Sequence, residues 1–256
     1  MDSGREKVDR NARFSGRKIY LTGAASGIGR ATARLLASGG ARLSLVDIDR
    51  ENLADVAKEV GGRPFSVDLL DHDAVDRSVD QAAEAMGGID VVINCAAIAH
   101  SCSIDALEPE AWDRVIAINL TAPFRVCRAA LPYLRTSDHA SIVNVASGVA
   151  MLPQLNAAAY AASKGGLISF TKALALELAP RIRANVLSPG ITNTPIVSKV
   201  LESATDVDQS PFVAQYAMKR VADAAEIAEA IAFLASDEAS FITGIILSAD
   251  GGRTFH

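Results

Sequence analysis

Cysteine is scarce in this chain: three residues, Cys95, Cys102 and Cys127, among 256. The count is odd and no C-x-x-C pair occurs, which excludes a disulfide framework and leaves reduced thiols in a cytoplasmic protein as the expectation. Apolar runs are short. None reaches the ~20 residues of a membrane-spanning helix. The N-terminal stretch MDSGREKVDRNARFSG has no apolar core, so it does not read as a secretory signal. It predicts a flexible polar tail over 1–15. Excess positive charge is also missing. A net charge of −5 argues against a nucleic-acid surface, and no block of like charge suggests a membrane patch. No His/Cys/Asp cluster has metal-ligand spacing, so no metal is expected. There is no internal repeat and no low-complexity linker.

What is present is apolar content and alternation. Half of the residues are hydrophobic and 21% are charged, which fits a packed core. KIYLTG, ARLSLVDID, PFSVDL, IDVVINCAA, SIVNVAS, IRANVLSPG and GIILSAD read as strands, most of them apolar throughout. Between them lie helical patterns: GIGRATARLLASGG, ENLADVAKEV, DAVDRSVDQAAEAMG, a long helix over 112–134, another over 156–179, and AAEIAEAIAFLAS. Strands apolar on both faces that alternate with helices predict an α/β fold. The expected architecture is a Rossmann-type doubly wound parallel sheet of about seven strands with helices on both faces. One domain over 16–256 follows. Residues 193–220 lack a clear period and carry Ser, Thr, Asp, Gln and Pro, which suits a substrate lid.

TGAASGIG (22–29) joins the first strand to the first helix. Glycines permit the tight turn and let backbone approach a pyrophosphate, while the helix N-terminus offers unpaired N–H groups. Gly23, Ser26, Gly27, Ile28 and Gly29 are therefore candidate cofactor contacts. The second strand ends at Asp47, where a carboxylate can accept both hydroxyls of an adenosine ribose and repel a 2′-phosphate. That favours NAD over NADP. Asp68, at the end of the third strand, reads either as a contact to the adenine edge or as a helix cap.

Tyr160 and Lys164 in AYAASKGG are four residues apart and share a helix face. A phenol titrates near ~10, and a neighbouring ammonium favours the phenolate and lowers that value. Proton exchange with a substrate alcohol then becomes practical. Ser147 ends the SIVNVAS strand, at the sheet edge where such folds bind ligands, and supplies a hydroxyl for the substrate oxygen.

Together TGAASGIG, Asp47, Asn119 within INL, Ser147 and Tyr160-Ala-Ala-Ser-Lys164 resemble the short-chain dehydrogenase/reductase family. SPGITNTPI (188–196) and ASFITGIILSADGG (239–252) extend the similarity over 16–252. The resemblance implies that Tyr160 is the general acid/base, that Lys164 bonds the nicotinamide ribose and tunes Tyr160, and that Ser147 orients the substrate oxygen. It implies that Asn119 holds a water relaying protons from Lys164. Asn94 and the backbone after it would lie by the adenosine ribose. Pro189, Gly190, Thr192 and Thr194 would border the nicotinamide, with Thr194 on its carboxamide. The implied cofactor is NAD (NADH), and the implied partners are an alcohol or ketone and further copies of this chain as a homotetramer, with a dimer as fallback.

Two departures stand out. Where the family has Asn-Asn-Ala-Gly, this chain has Asn94-Cys95-Ala96-Ala97, so weaker cofactor binding is the expected limit of the damage. In LAPRIRANV, Pro180-Arg181 make a turn that usually holds one more residue.

Substrate choice falls to the loop 98–110, the lid, and SGVAMLPQL after Ser147. Val149 and Gln154 join Ser147 and Tyr160 as pocket candidates, with Gly148, Met151, Leu152 and Leu155 around them. His100 faces either the pocket or solvent. This mostly apolar run suits an aliphatic or cyclic secondary alcohol. A 3-oxoacyl-thioester reductase stands as an alternative, opposed by Asp47 because that activity usually draws on NADPH. A catalytically silent nucleotide-binding protein is a further one, opposed by the intact Ser147, Tyr160 and Lys164.

Overall fold

The computed structural model describes residues 12–195, 197 and 212–254. Seven parallel strands form one sheet in the order β3-β2-β1-β4-β5-β6-β7. They are β1 (Lys18–Thr22), β2 (Arg42–Asp47), β3 (Arg63–Ser66), β4 (Val91–Asn94), β5 (Ser141–Val145), β6 (Arg183–Pro189) and β7 (Ile246–Ala249). The winding reverses between β1 and β4. This is the crevice where open α/β sheets bind ligands, outside the carboxyl ends of the strands.

Side chains alternate across the sheet and supply a core on each face. Ile19, Leu21, Ile93, Val143 and Leu187 pack under α1 (Gly27–Ser38), α2 (Arg50–Val60) and α7 (Ala224–Ala235). Tyr20, Val46, Val92, Ile142 and Ala184 pack under α3 (His72–Met86), α5 (Ala122–Leu134) and α6 (Ala158–Leu178). Strands β4 and β5 are buried at every position, which is why their sequences carry no polar alternation. Local chemistry sets several helix starts. Asp49 accepts from the Asn52 N–H, Asp71 accepts from the Ala74 N–H, and Asp223 and Glu226 form a reciprocal capping box.

Two expectations need correction. The flexible tail was expected to run to residue 15, but Phe14 is 2% exposed and seats in the core beside Leu36, its N–H on the Gly39 carbonyl at 2.8 Å. An apolar ring two residues before the domain was outweighed by its polar neighbours. The helix over 112–134 is not continuous either. It begins as α4 (Pro109–Ile116), widens into a π-helical turn over Ala117–Thr121, and resumes as α5. Pro123 explains the break, because it has no N–H to offer the Asn119 carbonyl four residues back and its ring clashes there.

Helix α6 starts at Ala158, after Asn156 at φ 61°. The turn at Ala179-Pro180 leads into β6 at the sheet edge opposite the strand ends that carry the site. Of the expected lid, residues 196 and 198–211 lie outside the described residues. Val213 and Tyr216 from its later part pack against Ile191.

Candidate active site

At the end of β1 the chain turns within a narrow space. Gly23 has φ +70°, and a Cβ there would lie 2.7 Å from the Ala96 backbone. A Cβ on Gly29 would lie 1.9 Å from the Gly23 carbonyl oxygen, so the first turn of α1 can close on the loop only without a side chain. Ser26 stands at the N-cap of α1 without a side-chain capping bond. The N–H groups there remain directed at the crevice, an arrangement suited to an anion.

Asp47 closes this end. Its carboxylate accepts the Ala25 N–H at 3.0 Å and the Asp49 N–H at 3.1 Å, fixing it against the glycine turn while it lines the cavity. Two carboxylate oxygens have acceptor capacity beyond those two bonds. Asp68 also lines the cavity. It accepts the Leu70 N–H at 3.0 Å, and the cap of α3 is Asp71, so the capping reading of Asp68 does not hold.

Asn94 is a correction. Its side chain is buried between sheet and helix, donating to Asn144 Oδ1 at 2.8 Å and to Cys127 Sγ at 3.4 Å, and it does not reach the cavity. Asn144 continues the chain to Thr171 at 2.8 Å. Asn94 is therefore a polar tie between β4 and β5. The residues after it do line the cavity. Thr22 Oγ1 accepts the Cys95 and Ala96 N–H groups at 3.1 and 3.2 Å and holds that backbone against the glycine turn. Cys95 is half-buried on the cavity wall, and desolvation pushes its thiol up to about 12.

Ser147, Tyr160 and Lys164 converge at the other side of the cavity. Ser147 follows β5, accepts the Val149 N–H at 3.3 Å and shares a hydrogen bond with the Tyr160 phenol. Lys164 is 1% exposed and its Nζ donates to the Val145 carbonyl at 2.7 Å. Burial lowers its affinity for a proton to a pKa of about 8. The expectation that Lys164 lowers the Tyr160 pKa is not met in this geometry. Burial raises it, and the bond with Ser147 only offsets part of that rise. Desolvation is the largest cause of the shift at both groups.

Asn119 sits in the π-helical turn, fully buried and outside the cavity lining. Its Oδ1 accepts the Ile98 N–H and its Nδ2 donates to the Ile98 carbonyl, both at 2.9 Å, and to Ser163 Oγ at 3.1 Å. The side chain thus pins the loop after β4 to α6. A water held by this side chain, as the resemblance implied, finds its amide already engaged.

Pro189, Gly190, Thr192 and Thr194 line the cavity between these two halves. Thr194 packs over the glycine turn, its Cγ2 3.1 Å from where a Gly27 Cβ would stand. Thr192 Oγ1 donates to the Gly190 carbonyl at 3.0 Å, and Thr194 Oγ1 donates to that of Thr192 at 3.3 Å.

The remaining wall contains Gly148, Val149, Gln154 and Leu155. Met151 and Leu152 do not join it; Met151 packs against the Ala146–Ile168–Val186 cluster instead. His100 lines the wall while remaining exposed. Tyr216, from the segment expected as a lid, lines it too. Sequence reading missed Arg114 and Arg253, which also line it and which no local motif marks. The cavity has a volume of about 870 Å³ and is continuous from Asp47 to Tyr216. The cradle, the helix N-terminus and the ribose-height carboxylate fit a dinucleotide. Among the described residues no group of His, Cys, Asp and Glu could hold a metal ion, and no helix is long and apolar enough to cross a membrane.

The family model described as enoyl-(acyl carrier protein) reductase matches residues 23–254. A 3-oxoacyl-[acyl-carrier-protein] reductase of Thermotoga maritima is 39% identical over 246 residues, covering 94% of this chain and 98% of that protein. The cis-4-hydroxycyclohexanecarboxylate dehydrogenase of Sinomonas cyclohexanicum is 39% identical over 247 residues, covering 94% and 98%. The crystal structure of a short-chain dehydrogenase/reductase, glucose/ribitol dehydrogenase, from Brucella melitensis superposes with a TM-score of 0.90 at 38% identity, covering 96% of this chain and all of that one.

Proposed function

We propose that this chain, which belongs to the short-chain dehydrogenase/reductase family and is an oxidoreductase acting on CH–OH groups, interconverts a cyclic or aliphatic secondary alcohol and its ketone, with NAD as the preferred cofactor. The observation that carries the reading is the meeting of Ser147, Tyr160 and Lys164 in the cavity that the glycine cradle and Asp47 also line. When bound, the nicotinamide supplies or accepts the hydride.

The chain's own part is position and proton transfer. The Ser147 hydroxyl orients the substrate oxygen. Tyr160 gives that oxygen a proton when the ketone is reduced and takes one back when the alcohol is oxidised. Burial keeps the phenol protonated at neutral pH, which suits the reductive step directly. Lys164, anchored on Val145 and lining the same cavity, is placed to bond the nicotinamide ribose beside Tyr160. Asn119 acts by position: it holds the Ile98 loop against α6.

NAD preference rests on Asp47. Its fixed carboxylate disfavours a 2′-phosphate. The apolar wall of Val149 and Leu155 supports a cyclic substrate, as does the substrate named for the Sinomonas relative. A second reading, reduction of 3-oxoacyl thioesters, is supported by the Thermotoga relative and opposed by Asp47. A homotetramer is part of the proposal. Leu176 on α6 is 84% exposed and Phe124 on α5 stands partly open, an apolar surface suited to pairing across a two-fold axis. Cytoplasmic residence is supported by three free thiols.

The test is a panel of secondary alcohols and 3-oxoacyl thioesters with NAD(H) and NADP(H), read at the reduced-nicotinamide absorbance band. Turnover of alcohols with NAD in excess of NADP supports the reading. Turnover confined to thioesters with NADPH replaces it with the second one. Light scattering reads the assembly.

A further inference from the structure

We propose that Arg253 is a carboxylate-binding residue of the substrate cavity, and that the alcohol this enzyme handles carries a carboxylate. This deepens the alcohol–ketone reading and rests on it.

Arg253 lines the cavity that holds Ser147 and Tyr160, yet it is only 7% exposed. Its place follows from the turn after β7. The Asp250 carboxylate accepts the N–H groups of Gly252, Arg253 and Thr254, and this clamps the turn that brings Arg253 to the cavity wall. Beside Arg253, the Thr254 methyl lies 3.8 Å from the Cβ position of Gly148, which follows Ser147 directly. The guanidinium is thus on the substrate side of the site and far from Asp47.

Its hydrogen bonding is incomplete. Among the described residues Nε is buried with no partner, and Nη2 reaches the Leu152 carbonyl only at 3.5 Å. Among the described residues no carboxylate lies within ion-pair distance of it. Asp250 is consumed by the turn. The only acidic side chains among the described lining residues are Asp47 and Asp68, at the opposite end. The Tyr216 ring supports the guanidinium, with Cζ 5.6 Å from the ring centroid. A buried cation with unmet donors is costly unless an anion arrives. A planar guanidinium fork is matched to a carboxylate, which it can grip through two parallel bonds. One guanidinium neutralises one negative charge, so a monoanion fits better than a phosphate monoester.

The experiment uses the full chain loaded with NADH. Calorimetry measures binding of cyclohexanecarboxylate and benzoate against their uncharged amides, in wild type, Arg253→Lys and Arg253→Met. The expected result is a wild-type preference for the acids of about tenfold or more. Arg253→Met should lose that preference while still binding NADH, and Arg253→Lys should keep only part of it. Equal wild-type affinity for acid and amide overturns the proposal even if a variant fails to fold. So does an Arg253→Met protein that keeps the preference. Turnover of a hydroxycycloalkane carboxylate and its methyl ester is followed in parallel. Tighter binding of acids without turnover of any alcohol would support the subsite and defeat the alcohol reading. Turnover of the ester as readily as the acid, with no acid preference in binding, would do the reverse.

Discussion

Lys164 Nζ donates to the Val145 carbonyl at 2.7 Å and stands 5.9 Å from the centre of the Tyr160 ring. One bond therefore ties α6 to β5 and places an ammonium beside the phenol. The same burial that makes this tie rigid strips both groups of water, and their proton affinities move in opposite directions: Lys164 down, Tyr160 up.

That movement makes stability depend on pH. Lysine in the unfolded chain titrates near 10.5, whereas Lys164 in the folded protein titrates near 8. Between those values the unfolded chain holds more protons, so stability rises with pH through the window and the burial penalty is complete below it. Wild type should therefore gain on Lys164→Met as pH increases, with about 3 kcal/mol as the limit for the whole window. Urea denaturation of both proteins at pH 7 and pH 9 checks this. Tyr160, raised above 10, stays protonated in both states over that interval. A difference between the two proteins that does not change with pH would contradict the buried-ammonium account.

Asp47→Ala should lower the NAD:NADP ratio of kcat/KM by about tenfold or more, because the repulsion of a 2′-phosphate is removed. It should also cost about 1 kcal/mol or more of stability, since the Ala25 and Asp49 N–H groups lose their acceptor. Steady-state kinetics with both cofactors decides it. An unchanged ratio means the adenosine ribose does not sit on this carboxylate.

Asn119→Ala should be a folding variant as well as a kinetic one. It removes the partner of the part-buried Ile98 N–H and carbonyl, at about 1 kcal/mol for each bond lost. Urea denaturation together with kcat checks this. A side chain that only held a relay water would lower kcat and leave stability unchanged.

Much of this was legible in the sequence because it rests on local rules. The apolar strands, the glycine turn and the four-residue spacing of Tyr160 and Lys164 each follow from backbone geometry over a few residues. Other features needed the third dimension. Asn94 stands next to the cofactor half in sequence, but strand alternation turns its side chain inward to Asn144. Met151 lies between lining residues yet packs elsewhere. Arg253 enters the cavity only because β7 lies beside β6 and the Asp250 turn bends the chain back. On α6, a Cβ on Gly166 would lie 2.8 Å from Leu120, a packing demand that only the folded chain reveals.

The most direct measurement is turnover by Tyr160→Phe, with NADH binding measured on the same preparation. The phenol oxygen is the one atom assigned to proton transfer, and its removal leaves the glycine cradle, Asp47 and the Lys164–Val145 bond in place. Turnover should fall by ~10²–10⁴-fold while NADH affinity stays within a fewfold of wild type. Activity retained near the wild-type level would contradict the role given to Tyr160 and with it the proposed mechanism.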